Sequence, residues 1–392
     1  MDRFDVVVAG AGAAGLMCAI EAGKRGRRVL VLDHAKAPGE KIRISGGGRC
    51  NFTNIHTRWD RFLSQNPRFA ISALSRYQPK DFIALVERYG IGWHEKTLGQ
   101  LFCDDSARQI VEMLLTELKA SGGTLRLNTA VTAIEKRGAG FRLTAGDRDV
   151  ECDALVIATG GKSIPKMGAT SFGYDVAEQF GLRIVETRPG LVPLTFEIGL
   201  LERLKSLAGV AVDTRIAHDK TRFDEAMLFT HRGLSGPAVL QISSYWRPGE
   251  AITIDMAPGV DVYAALRDAR GEHPRQLTAT ALARLVPARL AQLIAELESA
   301  TGALAETGDK TLRRVADHVN AWTVKPVGSE GYRTAEVTVG GVDTRDLDSK
   351  TLQARDVPGL YFIGECVDVT GWLGGYNFQW AWASGWAVGQ VV

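Results

Sequence analysis

A glycine-rich turn near the start of the chain constrains the fold more than any other segment. Phe4 to Ala9 is a short, β-branched, apolar run of the kind that forms a buried parallel strand. Gly10 to Gly15 (G-A-G-A-A-G) follows at once, and a helical stretch and a second apolar run, Arg28 to Asp33, come after it. This order predicts a βαβ unit with a G-x-G-x-x-G turn between its first strand and its helix.

In this context the turn predicts a dinucleotide site. Its glycines permit a tight turn and a close approach of the backbone to pyrophosphate, and the helix N-terminus offers free N–H groups and a positive dipole. Asp33, at the end of the second strand, would accept hydrogen bonds from ribose hydroxyls and repel a 2′-phosphate. The pattern therefore favours FAD or NAD over NADP. A glycine-rich turn that binds no ligand is the alternative interpretation.

Three later segments favour a flavin over NAD alone. Lys41 to Asn51 (K-I-R-I-S-G-G-G-R-C-N) combines three consecutive glycines with two arginines, which suits a diphosphate or a flavin edge, although a flexible surface loop is the alternative. Ala158 to Gly161 (A-T-G-G) closes a buried strand and lets backbone lie against a planar ligand. Glu365 follows the late strand Gly359 to Gly364, where it can bind the ribityl chain of a flavin whose adenosine half lies near Gly12.

The sequence changes character twice after Pro189. Leu191 to Glu197, Val210 to Ala217 and Ala251 to Met256 indicate strands with little helix between them, whereas Val262 to Trp322 has helical periodicity. We therefore predict an α/β protein in three parts: a discontinuous Rossmann-like domain over 1–190 and 335–392, a β-rich insert over 191–260 and 323–334, and a helical module over 261–322.

Several motifs resemble those of one family of bacterial flavoproteins. They are G-A-G-A-A-G-L at 10–16, S-G-G-G-R-C-N-F-T-N at 45–54, A-T-G-G-K-S-I-P at 158–165, L-F-T-H-R-G-L-S-G-P-A-V-L at 228–240, V-T-V-G-G-V at 337–342 and G-E-C-V-D-V-T-G-W-L-G-G-Y-N-F-Q-W-A-W at 364–382. Over essentially its whole length the chain resembles the HI0933-like or BaiN-like NAD(P)/FAD-dependent oxidoreductases. The resemblance implies a Rossmann-like FAD-binding domain interrupted by an insert made of a small β-barrel and a helical bundle.

The resemblance also implies which residues hold noncovalent FAD. Those of the nucleotide half are Gly10, Gly12, Ala14 and Gly15 at the pyrophosphate, Asp33 at the ribose and Val131 beside adenine. Those that cover the cofactor or meet its flavin half are Lys41, Gly47, Arg49, Asn51, Thr159, Gly160, Gly364, Glu365, Gly375, Tyr376 and Asn377.

Charge and cysteine usage restrict the partners and the compartment. The chain has 47 lysines and arginines and 45 aspartates and glutamates, so its net charge is 47 − 45 = +2. This charge does not indicate a dedicated nucleic-acid or membrane-surface binder. The five cysteines are scattered and contain no C-x-x-C, so we expect no disulfide framework, metal site or dithiol centre. No signal peptide or membrane span is predicted. We therefore expect a cytoplasmic protein with a small-molecule substrate and with neither a nucleic-acid nor a membrane partner; the sequence predicts no oligomeric state.

The leading functional hypothesis is an NAD(P)H-linked FAD-dependent oxidoreductase. The nicotinamide would dock transiently, because no second G-x-G-x-x-G is present, and hydride would pass to an organic acceptor such as an activated carbon–carbon double bond. One alternative is a flavin-dependent RNA-modifying protein, and another is a flavin-bound interaction or sensor protein without turnover. No catalytic residue is predicted: Cys50, Cys366 and His231 are candidates, but each type is more often structural in such positions.

Overall fold

The computed structural model describes residues 2–392, and they form two compact units. The first contains the chain up to Arg188 and again from Val337 to Val392, and the second is Pro189–Glu336. In the described residues no helix is both long and apolar enough to cross a membrane.

The strands lie in both units. They are β1 Asp2–Ala9, β2 Val29–Leu32, β3 Asn51–Asn54, β4 Phe62–Leu63, β5 Trp93–Glu95, β6 Gln100–Cys103, β7 Thr124–Arg126, β8 Val131–Arg137, β9 Gly140–Ala145, β10 Arg148–Ile157, β11 Ile184–Gly190, β12 Leu194–Thr195, β13 Ala211–His218, β14 Thr221–Phe229, β15 Gly233–Ser235, β16 Ile252–Asp255, β17 Trp322–Val324, β18 Gly328–Ser329, β19 Val337–Val342, β20 Leu360–Phe362 and β21 Thr370–Gly371.

Both units also contain helices. They are α1 Ala13–Lys24, α2 Glu40–Gly48, α3 Ile71–Arg76, α4 Pro79–Arg88, α5 Ala107–Ala120, α6 Phe172–Gln179, α7 Ile198–Leu204, α8 Pro237–Ser243, α9 Val262–Glu272, α10 Thr278–Leu282, α11 Ala288–Leu297, α12 Asp309–Asn320 and α13 Tyr376–Gly389.

The main sheet of the first unit is parallel at its centre. The order β7-β2-β1-β10 is parallel throughout, and the end of β10 also pairs in parallel with β20. The first half of β10 forms an antiparallel ladder with β9, which continues to β8. Val6 to Ala9 are fully buried, as expected for a parallel strand covered on both faces. The predicted α/β fold with a Rossmann-type sheet is therefore confirmed.

The last helix, α13, completes the first unit by packing against α1. A Cβ on Gly385 would lie 2.4 Å from the carbonyl oxygen of Ala14, so the two helices approach at backbone distance. The guanidinium of Arg25 donates to the carbonyl oxygens of Gly389 and Val392, at 3.2 and 3.0 Å, which fixes the C-terminus beside α1. The start and the end of the chain thus form one layer over the sheet.

The second unit has an antiparallel sheet and a group of helices. Its strand order is β17-β16-β13-β14-β15-β12-β18, and its helices include α9 to α12. The strand expected over Leu191–Glu197 is only Leu194–Thr195. The strand β14 was not predicted; it alternates buried residues with more exposed ones and pairs with β13 from Thr221 to Leu228. Closure of these strands into a barrel stays a prediction.

Candidate functional site

The glycine-rich turn connects β1 to α1, and its three glycines differ in their surroundings. A Cβ on Gly10 would lie 2.3 Å from the carbonyl oxygen of Ala158, and one on Gly15 would lie 2.0 Å from that of Gly10. Backbone packing therefore admits only glycine at these two positions. At Gly12 no atom beyond its chain neighbours lies within 4 Å of the Cβ position among the described residues. The turn thus leaves open space at the N-terminus of α1, where free N–H groups favour a phosphate.

Asp33 follows β2 and is held against this turn. Its Oδ2 accepts from the backbone N–H of Ala11 at 2.7 Å, and its Oδ1 accepts from that of Ala35 at 2.8 Å. A carboxylate has about four acceptor positions, so two remain after these bonds. These two backbone N–H groups therefore hold the Asp33 carboxylate next to the turn that contains Gly12, as a ribose contact requires.

Val131 is the first residue of β8. The chain just before it is tied to the loop that contains Asp33, because the N–H of Thr129 donates to the carbonyl oxygen of Asp33 at 2.8 Å. Val131 is half-buried. The structure thus ties the chain just before the residue predicted beside adenine to the residue predicted at the ribose.

Ala14 and Gly364 bring the two ends of the chain together. A Cβ on Gly364 would lie 2.9 Å from the Cβ of Ala14, so only a residue without a side chain fits there. Two groups of α13 hold Gly364 in place: its carbonyl oxygen accepts from Trp380 Nε1 at 3.0 Å, and its N–H donates to Ser384 Oγ at 3.1 Å. The site predicted near residue 12 and the one predicted near residue 364 are therefore neighbours.

Lys41 and Glu365 form an ion pair within a four-residue network. Lys41 Nζ lies 2.6 Å from Glu365 Oε2 and 2.5 Å from Ser163 Oγ. Glu365 Oε1 accepts from Ser163 Oγ at 3.0 Å and from the N–H of Thr338 at 2.9 Å. Three acceptor positions of the carboxylate are thus used and one is left for a ligand. The sequence predicts Lys41 and Glu365 at this site but does not indicate Ser163 and Thr338, although these lie within the motifs at 158–165 and 337–342.

Thr159 and Gly160 follow β10 and supply a buried polar atom without a partner. Thr159 Oγ1 is inaccessible to solvent and has no hydrogen-bond partner among the described residues. The Cβ position of Gly160 has no atom within 4 Å beyond its chain neighbours. A buried hydroxyl normally has a partner, so an orphaned one beside open space fits a site that a ligand completes.

The segment from Gly47 to Asn51 leaves α2 through a kink. The backbone of Ser45 to Gly47 is not helical, and the Cβ position of Gly47 faces open space. Arg49 is exposed and makes no ion pair in the part of the chain that the structure describes. The side-chain amides of Asn51 and Gln100 are 3.1 Å apart. Within five residues the described chain therefore offers a glycine that faces open space, an arginine that makes no ion pair and a side-chain amide.

Gly375, Tyr376 and Asn377 form the start of α13. A Cβ on Gly375 would lie 2.4 Å from the carbonyl oxygen of Thr53, which ties the helix start to β3. Asn377 Oδ1 accepts from the N–H of Gly371 at 2.8 Å and its Nδ2 donates to the carbonyl oxygen of Gly371 at 2.9 Å. Tyr376 is buried. Asn377 therefore stabilises the preceding loop, and a contact of its side chain with a flavin stays a prediction.

One family model matches residues 4–391, nearly the whole chain, and its description is "HI0933-like protein Rossmann domain". The chain belongs to the HI0933-like family.

Two relatives of this HI0933-like protein match along its full length. One, from Escherichia coli (strain K12), is 54% identical over 100% of this chain and 98% of its own, and is named ribosomal RNA dihydrouridine synthase. The other, from Haemophilus influenzae, has the same name and is 46% identical over 97% of this chain and 96% of its own.

Solved structures support the fold at much lower identity. The 3-ketosteroid-Δ4-(5α)-dehydrogenase of Rhodococcus jostii RHA1 matches with a TM-score of 0.51 and 14% identity, over 99% of this chain and 96% of its own. The family and the fold are those of flavin-binding oxidoreductases. The predictions of an enzyme with a flavin cofactor are confirmed at that level.

The names of the two close relatives overturn two predictions for the HI0933-like protein. A small organic acceptor as substrate and the expected lack of a nucleic-acid partner are both wrong, because relatives at 54% and 46% identity are named for ribosomal RNA. The error has a physical cause: a net charge of +2 averages over the chain. Residues 41–76 contain seven cations, Lys41, Arg43, Arg49, Arg58, Arg61, Arg68 and Arg76, against the single carboxylate of Asp60.

The candidate thiols are buried, and the candidate histidine belongs to the second unit. All five cysteines are buried and unpaired. Burial raises the pKa of Cys50, and it raises the pKa of Cys366 to about 12, so neither thiol is a thiolate at neutral pH. His231 is exposed in the turn between β14 and β15 of the second unit. In residues 2–392 no group of three or more His, Cys, Asp or Glu side chains could hold a metal ion.

Proposed function

We propose that this protein binds FAD noncovalently and uses it to reduce uridine in ribosomal RNA to dihydrouridine. The observation that carries the proposal is the 54% identity, over 100% of this chain, to a relative named ribosomal RNA dihydrouridine synthase. The similarity includes every segment of the candidate site. It supports the RNA-modifying alternative that the sequence left open.

The open and unsatisfied positions of the first unit support FAD as the flavin. Gly12 and Asp33 offer a phosphate cradle and a ribose acceptor on one side. Thr159 Oγ1 and the remaining acceptor position of Glu365 Oε2 offer polar contacts for a longer ligand on the other side. Such a set exceeds what a mononucleotide needs and suits a dinucleotide that carries a flavin.

The chain's own residues bind and orient the reactants. When bound, the flavin supplies hydride transfer, so that uracil C5=C6 gains one hydride and one proton at the expense of NAD(P)H. Lys41 and Glu365 fix the segment expected to meet the ribityl chain. The N-terminus of α13 adds a positive dipole where a reduced ring would carry negative charge. We assign no side chain as proton donor.

Two further assignments rest on the same proposal. NAD(P)H docks transiently, since the sequence has no second G-x-G-x-x-G turn for a resident nicotinamide. The reaction takes place in the cytoplasm, because ribosomal RNA is there.

The test is direct conversion of the RNA. Flavin-loaded protein is incubated without oxygen with ribosomal RNA from cells that lack the gene, with NADH or NADPH, and nuclease digests are analysed for dihydrouridine by mass spectrometry. We expect dihydrouridine to form in ribosomal RNA only when protein, flavin and donor are all present. We expect the protein to form no new dihydrouridine in transfer RNA. Flavin that the donor reduces without forming dihydrouridine would refute the RNA substrate. Flavin that neither donor reduces would support the sensor alternative.

A further inference from the structure

One buried side chain joins three loops of the first unit. Asn54 Nδ2 donates to the carbonyl oxygen of Leu98 at 3.1 Å and to that of Gly374 at 2.9 Å. Its Oδ1 accepts from the N–H of His56 at 2.9 Å. The chain from 54 to 61, the hairpin tip between β5 and β6, and the glycine loop before α13 therefore form one continuous surface. We call it the Asn54 surface.

The hairpin tip presents an apolar side chain in a strained backbone conformation. Leu98 is 60% exposed and has φ of +52°, in the left-handed region that leucine rarely adopts. Its neighbour Gly99 is packed tightly, because a Cβ there would lie 2.6 Å from His56 and 2.9 Å from the side chain of Ile55. Burial of Leu98 does not compensate for its strain. Such strain concentrates at sites that serve a function other than stability.

The same surface carries cations and aromatic rings. Arg58 and Arg61 share the exposed carboxylate of Asp60, at 3.0 and 3.9 Å. The guanidinium of Arg61 also lies 4.1 Å from the ring centre of Trp372, in the glycine loop. Trp59, between the two arginines, is 41% exposed. Exposed ion pairs contribute little to stability, so both arginines can exchange Asp60 for a phosphate.

We infer that the Asn54 surface is where ribosomal RNA docks, with Leu98 as the wedge that replaces the target uracil in its stack. The inference rests on the proposed function. A base cannot lie flat on a flavin while it is stacked in RNA, so it must leave the stack. Arg58 and Arg61 contact phosphates, Trp59 stacks on a base and Leu98 occupies the vacated space. Gly374 joins this surface to the start of α13, which is the segment predicted at the flavin ring.

Binding of RNA tests the surface independently of turnover. The double variant Arg58→Glu/Arg61→Glu is compared with Arg137→Glu/Arg148→Glu, which changes charge equally in the same unit at two exposed arginines that also have neighbouring carboxylates. We expect the first to weaken binding of unmodified ribosomal RNA and to lower the salt-dependence slope by about two, about one per lost phosphate contact. Flavin content should match that of wild type in both.

Equal loss of RNA affinity in the two double variants would overturn the docking surface, whether or not the wild type forms dihydrouridine. A wild type that binds RNA through this surface and forms no dihydrouridine would refute the proposed function alone. The two failures are therefore distinguishable.

Leu98→Gly tests the wedge without endangering the fold. Glycine adopts positive φ without strain, so the unfolding midpoint should stay unchanged or rise. We expect dihydrouridine formation in intact ribosomal RNA to fall by about tenfold, the factor that 1.4 kcal/mol represents, while formation in short unstructured fragments is unchanged. Leu277→Gly, at an exposed leucine in the second unit, is the control. Wild-type rates on intact RNA in Leu98→Gly would overturn the wedge.

Discussion

Lys41 and Glu365, 324 positions apart in the sequence, form an ion pair with Nζ 2.6 Å from Oε2. Neither side chain is fully buried, so their attraction alone contributes modestly to stability. The pair has more effect on geometry, because Ser163 and Thr338 bind the same carboxylate. A single side chain thus fixes three other segments of the candidate site.

Replacing Glu365 by Gln should weaken flavin binding by about tenfold, or about 1.4 kcal/mol. The amide keeps the shape of the side chain but leaves the Lys41 ammonium without its anionic partner. Titration of apo-protein with FAD, followed by flavin fluorescence, measures the change. Glu135→Gln removes an exposed carboxylate paired with Arg137 and should leave affinity unchanged. Equal affinities for the two variants would contradict the role of the network.

Gly12→Val should abolish flavin binding and leave the apo-protein folded. The added side chain would enter the open space at the N-terminus of α1, where a pyrophosphate is expected. Flavin content after purification and the far-UV circular dichroism spectrum give the two readouts. Gly308→Val is the matched control, because Gly308 also precedes a helix and its Cβ position also faces open space. Retention of flavin by Gly12→Val would place the pyrophosphate elsewhere.

Asp33→Ala should weaken flavin binding by about 1–3 kcal/mol, the cost of removing a charged hydrogen-bond acceptor. It should also destabilise the apo-protein, because the N–H groups of Ala11 and Ala35 lose their acceptor. Urea unfolding separates this effect from the change in affinity. Asp153→Ala, at an exposed carboxylate bonded to Arg3, should change neither quantity. An affinity within a factor of about two of wild type would mean that other groups hold the ribose.

Asp368→Asn should remove a pH-dependent loss of stability. Burial raises the pKa of Asp368 above its usual 3.8. Between pH 3.8 and the raised pKa, the unfolded chain has lost this proton while the folded protein still holds it. The free energy of unfolding therefore falls as the pH rises through this range. Asparagine can still accept from the N–H of Gln65, which lies 2.8 Å from Asp368 Oδ2. Urea unfolding of both proteins across this pH range should show an advantage of the variant that grows with pH. A constant difference would contradict the assignment.

The five buried thiols should be unreactive in the native protein. Burial raises the pKa of Cys103 and of Cys366 to about 12, and Cys366 Sγ donates to the carbonyl oxygen of Ile363 at 3.2 Å. A thiol reagent should therefore modify no cysteine before unfolding and all five afterwards. Cys366→Ala should keep reduction of the flavin by the donor. Rapid labelling of Cys50 or Cys366 in the native state would restore them as redox candidates.

Local patterns in the sequence predict features formed within one short segment, but they do not predict contacts between distant segments. The turn from Gly10 to Gly15 and the position of Asp33 follow from spacing within one βαβ unit, so the sequence predicts them without knowledge of the rest of the fold. The network around Glu365 joins segments that are distant in the chain, and no local pattern encodes which atoms meet. The alternation in β14 was present in Phe223, Met227 and Phe229, yet the charged residues between them concealed it.

Averaging explains why the charge of the sequence did not indicate the proposed RNA partner. The whole chain has a net charge of +2, which is the sum of many compensating pairs such as Arg28 with Asp5. A partner responds to the local field, which a salt solution screens beyond about 10 Å. A count over residues 41–76 would have indicated a basic segment, and the Asn54 surface lies partly within it.

The packing of α13 on α1 also determines when the protein can acquire its cofactor during biosynthesis. Gly364 lies against Ala14, and Arg25 donates to the carbonyl oxygen of Val392, so part of the packing around the N-terminal turn comes from residues far later in the chain. A nascent chain has β1 and α1 early but lacks this covering layer until α13 has been synthesised. We therefore expect flavin to bind only after α13 has been synthesised, and a stop codon before Gly364 to yield a chain without a complete cofactor site.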